Sequence, residues 1–129
     1  MHASISYLKN FGIACLCTLT AMAANAQDKF PSKLVRLVVG FPAGSATDVA
    51  TRIVANQLSQ ELGQPFLVEN KPGASSEIAA KTVATSAADG YTLFVLTIAN
   101  VINASAGKSD VVSIEKNFTA VSSIGSVPI

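Results

Sequence analysis

Apolar and polar positions fall in blocks along this chain, and the blocks differ in period. Residues 34–39 carry an almost unbroken apolar run (Leu34, Val35, Leu37, Val38, Val39), which predicts a buried strand. Gly40, Pro42 and Gly44 interrupt it. Beyond them Val49, Ile53, Val54, Leu58 and Leu62 recur at helical spacing, so a helix is expected over 45–62. Gly63 stands where a helix C′ residue belongs, and Pro65 blocks continuation. A second strand is expected over 66–69, a turn over 69–76 and an Ala-rich helix, of the kind that packs close to a sheet, over 77–85. A turn at 87–90 leads to a third strand over 91–96 (YTLFVL). The rest reads as a polar loop at 97–100, a weak helical turn to 104, a loop at 107–110 and a fourth strand near 120–127. Strands separated by helices predict an α/β fold, a parallel sheet with flanking helices and right-handed crossovers.

The first 26 residues do not fit this scheme. Lys9 precedes an apolar stretch over 11–24 that is short for a membrane span. Ala24-Asn25-Ala26 has the small-x-small form of an export cleavage site. Residues 1–26 are therefore expected to be a signal peptide, with Gln27 the first mature residue and the periplasm the destination. An N-terminal membrane anchor is the competing reading. No direct membrane insertion is expected after cleavage.

Setting this leader aside removes Cys15, Cys17 and His2, and so every Cys and His of the sequence. A Cys/His metal site, a Ser-His-Asp triad, a Cys-His pair and a disulfide framework are excluded from 27–129. All eight acidic residues remain, together with every basic residue but Lys9, so the charges balance. No basic patch points to nucleic acid. A chain of this length buries one modest core, so one small domain is the ceiling.

Candidate chemistry lies at the strand-to-helix corners. A helix N-terminus leaves backbone N–H groups without intrahelical partners, and the macrodipole adds partial positive charge there, which suits an anion. The corner at 40–48 has this character, and the corner at 69–76 repeats it. An ordinary, empty βα connection is the plain alternative for either. Neither corner has the spacing of a dinucleotide or phosphate-binding loop. Asp48 belongs in the first turn of its helix, where a carboxylate suits the dipole. Arg52 and Lys71 read as solvated surface charges.

The sequence resembles the N-terminal part of the solute receptors of tripartite tricarboxylate transporters, the Bug-type binding proteins. The matching residues are Phe30-Pro31-Ser32-Lys33, Arg36-Leu37-Val38-Val39, Phe41-Pro42-Ala43-Gly44-Ser45-Ala46-Thr47-Asp48 and Leu62-Gly63-Gln64-Pro65. Val68-Glu69-Asn70-Lys71-Pro72-Gly73-Ala74, Ala88-Asp89-Gly90-Tyr91-Thr92-Leu93, Phe118-Thr119-Ala120-Val121 and Val127-Pro128 continue the match.

The resemblance implies the first lobe of a two-lobe periplasmic binding protein, partial over 27–129. It implies capture of a small organic carboxylate for delivery to membrane permease subunits, with no catalysis and no cofactor. Carried over by motif, the ligand-binding residues are Phe41, Ala43, Gly44, Ser45, Ala46, Thr47 and Asp48, with Pro72, Gly73, Ala74 and Ser75. Thr97 and Asn100 fit a third loop less closely. Ser45 stands where the family commonly has a second glycine, and Ile98 and Ala99 where Ser and Gly are common. The chain is also much shorter than the family's usual length, which suggests a fragment of the receptor. Two other readings are kept: a truncated product without independent function, and a periplasmic enzyme acting on a carboxylate through Asp48 or Glu69.

Overall fold

The computed structural model describes residues 29–105 and 113–125. The expected leader at 1–26 and the loop at 107–110 lie outside the described residues. The chain divides into two compact units, Met1–Phe30 and Pro31–Ile129, and the architecture below belongs to the second.

That unit runs β1 (Val35–Val39), α1 (Ala46–Leu62), β2 (Phe66–Asn70), a 3₁₀ turn (Ala74–Ser76), α2 (Glu77–Ala84), β3 (Thr92–Val95), α3 (Ile98–Ser105) and α4 (Ile114–Asn117). The three strands form one parallel sheet in the order β2-β1-β3. β1 lies in the middle, with Val35, Val38 and Val39 fully buried, which is why its sequence is apolar on both faces.

Strand alternation sorts the side chains. Leu37 and Val39 of β1, with Val95 of β3, pack on Ala55 of α1, and Phe41, Phe66, Val68 and Leu93 border this core. Ala79 and Ala80 of α2 are buried, and α2 packs against β3 and β1. Small residues allow this close approach, as the Ala-rich pattern predicts. The chain leaves β1 for β2 and then returns across β1 to β3. Right-handed crossovers in opposite directions put α1 and α2 on opposite faces. The boundary between β1 and β3 is then the topological switch point, the place where open α/β sheets bind ligands beyond the strand C-termini.

Three expectations need correction. Residues 118–125 form no strand, and 126–127 lie outside the described residues. Positions 119–125 are exposed, so the run broken by Ser122, Ser123 and Gly125 has little apolar surface to bury in a sheet. The polar loop expected at 97–100 is helical from Ile98 onward. Finally, the apolar stripe of α1 does not face the sheet throughout: Val49 is half exposed and Ile53 is 66% exposed. Asp48, Thr51 and Ala55 are the buried residues of α1. Helical periodicity fixes the element but not which side approaches the sheet.

Candidate functional site

The loop between β1 and α1 is built around one cap. Ser45 takes the N-cap position at φ −66° and ψ 158°, and its Oγ accepts from the Asp48 N–H at 3.3 Å. An extended N-cap is what serine prefers. The serine at this position therefore costs no backbone strain, and a glycine is not required here. Gly44 just before it stands at φ +84°, where a Cβ would be strained.

Asp48 holds the loop from inside. It is 2% exposed, and it is the hub of a polar network. Oδ2 accepts from the Gly44 N–H at 2.8 Å and from Arg52 Nε at 3.0 Å, one helical turn on. Oδ1 accepts from Asn70 Nδ2 at 2.8 Å. Asn70 Nδ2 also donates to the Phe41 carbonyl at 3.1 Å, and Asn70 Oδ1 accepts from Arg52 at 3.1 Å. The hydrogen bond from Arg52, then those from the Gly44 amide and Asn70, lower the Asp48 pKa from 3.8 to about 2. A carboxylate so satisfied is a poor proton acceptor near neutral pH, which weighs against Asp48 as a general base. Arg52 is thus an ion-pair partner, not the purely solvated charge its exposure pattern suggests. Glu69 is likewise engaged, by Arg36 and by Lys71 at 2.9 Å. Its pKa is lowered by the Lys71 hydrogen bond first and the Arg36 one second.

Several donors of the first loop are already taken. The Gly44 N–H points to Asp48, the Ser45 N–H donates to the Pro42 carbonyl at 3.2 Å, and the Asp48 N–H meets Ser45. The amides of Ala46 and Thr47, at the first two helical positions, have no intrahelical acceptor. Both lie at the mouth of α1, Ala46 exposed and Thr47 half-buried.

The second loop is strained. Ala74, Ser75 and Ser76 all have positive φ, at 45°, 52° and 75°, after Gly73 at 131°. Pro72, Gly73, Ala74 and Ser75 are exposed, whereas Ser76 is 1% exposed and its Oγ has no hydrogen-bond partner. The third segment is a cap, not an open loop. The Thr97 N–H and hydroxyl both donate to Asn100 Oδ1, at 3.0 and 2.9 Å, so these two residues chiefly satisfy each other.

All three corners follow the C-terminal ends of their parallel strands and so share one edge of the sheet. Asn70 ties the first corner to the end of β2, and Asn103 Nδ2 reaches the Ser75 carbonyl at 3.4 Å. Sequence reasoning overlooks Asn70 and Ser76 and undervalues Arg52. The Asp48–Arg52 spacing of four carries a readable signal; the burial of Ser76 carries none. Among the described residues no three His, Cys, Asp or Glu side chains converge on a metal position. No described helix is long and apolar enough to cross a membrane.

Residues 50–125 match the profile of the tripartite tricarboxylate transporter family receptor, TctC. A Cupriavidus necator protein, named as the UPF0065 protein in the gbd 5′ region, is 51% identical over 76 residues, 58% of this chain and 23% of that protein. A solved structure described as a periplasmic transporter is 44% identical with a TM-score of 0.57, over 61% of this chain and 27% of its own. An R. palustris protein solved with adipate is 45% identical with a TM-score of 0.50, over 50% of this chain and 22% of its own. The chain spans about a quarter of the length of the curated relatives it matches.

Proposed function

The chain belongs to the tripartite tricarboxylate transporter receptor family, and from that premise we propose that it binds a small organic carboxylate in the periplasm for delivery to membrane permease subunits. In this reading residues 1–26 are the export signal, and the described unit supplies one wall of the ligand cleft. The observation that carries the proposal is the pair of open amides, Ala46 and Thr47, at the mouth of α1 beside the β1/β3 switch point. Phe41, Ala43, Gly44 and Ser45 shape that mouth, Asp48 supports it, and Pro72, Gly73, Ala74 and Ser75 form the neighbouring rim. Thr97 and Asn100 close the third corner by pairing with each other. The adipate-bound relative supports a dicarboxylate as ligand.

Backbone donors suit this task. They are fixed before binding, and they hold a carboxylate through charge-assisted hydrogen bonds without a cationic side chain. The edge is open to water on this unit, so amide donors there compete with solvent and keep little net value unless a second surface closes over the ligand. We therefore propose millimolar affinity, about −4 kcal/mol, for residues 27–129 alone. Calorimetric titration with adipate, a four-carbon dicarboxylate and the uncharged diamide of adipic acid tests the function. The reading expects heat from the acids, none from the diamide and unchanged acid recovered afterwards. Equal binding of the diamide, conversion of the acid, or no saturable binding of any acid overturns it.

A further inference from the structure

Resting on the carboxylate site just proposed, we infer that Asp48, Asn70 and Arg52 act as one positioning clasp that turns the Gly44 amide inward and leaves Ala46 and Thr47 as the ligand donors. Three connections carry this. Asp48 ties the Gly44 N–H to the body of α1. Asn70, at the end of β2, holds both Asp48 and the Phe41 carbonyl, so the two ends of the β1–α1 loop hang on one amide group. Arg52 bonds both partners and neutralises the Asp48 carboxylate, whose charge would otherwise repel an anion arriving at the helix mouth.

The arrangement departs from a capping box. There the acidic residue at N3 reaches back to the N–H of the cap residue. Here Asp48 occupies N3 but takes the N–H of Gly44, one residue earlier, while the Ser45 N–H folds onto Pro42. That shift orders the chain before the cap as well as the cap itself. None of the three clasp residues needs to touch the ligand. Their role is to fix where the two open amides point, and the loss of any one would free the loop to fold its donors elsewhere.

The clasp makes separable predictions for binding and for the loop. In the wild-type chain the Gly44 amide, bonded to Asp48, should exchange slowly with solvent deuterium, with or without adipate. Asp48→Asn supplies a donor where Gly44 and Arg52 need an acceptor, or loses Asn70 if it flips. It should speed Gly44 exchange at least tenfold and weaken adipate binding at least tenfold. Asn70→Ala, at a half-buried position, carries the same test if Asp48→Asn does not fold. Because the residues act as a unit, the double variant should bind no more weakly than the worse single one. Wild-type adipate affinity in either single variant, or additive losses in the double variant, overturns the clasp while leaving the carboxylate site standing. Failure of the wild-type chain to bind adipate or any other dicarboxylate removes the site, and the clasp's role with it.

Discussion

Ser76 lies so close to Gly40 that a β-carbon built on Gly40 would fall 1.5 Å from Ser76 Oγ and 2.8 Å from the Ser76 α-carbon. The first residue after β1 and the last residue before α2 meet here, and Ser76 fills the space that a side chain on residue 40 would need, so only glycine fits. Gly40→Ala is therefore expected to overpack the site and destabilise the chain by about 1–3 kcal/mol. Ser76→Gly in that background removes Oγ and Cβ but leaves the backbone of residue 76 in the way, so recovery should be partial. Urea unfolding with an unchanged m-value checks both statements.

The neighbouring residue carries strain of another kind. Ser75 is exposed and left-handed, a conformation that costs an L-residue roughly 1–2 kcal/mol. Ser75→Gly relieves that cost against a smaller loss of unfolded-state order. A rise in melting temperature of a few degrees is expected, and a fall would show that the serine side chain makes an interaction worth more than the strain.

Acid should undo the first loop before neutral pH does anything to it. The folded pKa of Asp48 is lowered to about 2 from 3.8. Its contribution to stability is thus complete above about pH 4 and is lost as pH falls through 2. Wild-type stability should drop over that window, and the Asp48→Asn variant should show a shallower drop. The Gly44 amide resonance, bonded to the same carboxylate, should report the titration directly.

Lys71 gives a contrast. It pairs with Glu69, which Arg36 also holds. Lys71→Ala should cost less than about 1 kcal/mol, as partly exposed ion pairs do. Adipate affinity should stay within threefold of wild type. A tenfold loss would mean that a cation, and not backbone geometry, attracts the ligand.

Much of the fold is legible in the residues. The β-branched run of β1, Ser45 and Asp48 at the head of α1, and Gly63 after Leu62 mark their elements within a residue of where they lie. These signals are local: each residue acts on its own backbone. The expected fourth strand fails because a strand needs a partner, and β propensity at Val121 and Ile124 says nothing of whether one is there. Thr97 and Asn100 read as loop polarity, although a Thr three residues before an Asn is also a cap spacing, and here it is one. The buried face of α1 is hidden for a third reason. Asp48 and Thr51 are polar residues buried against the body of the fold, Asp48 through a network with partners from other segments, and no period in the sequence encodes that. The candidate site is legible as two corners, but which amides remain open depends on Asn70, eighteen residues beyond Arg52.

Where an anion sits on this chain is read most directly by a ¹H–¹⁵N titration of the labelled protein with adipate. Saturable movement of the Ala46 and Thr47 amides, with Gly44 nearly still and the diamide inert, is the predicted result. Movement centred on Gly44 or on Lys71, or equal shifts with the diamide, would contradict a carboxylate held by the open amides of α1.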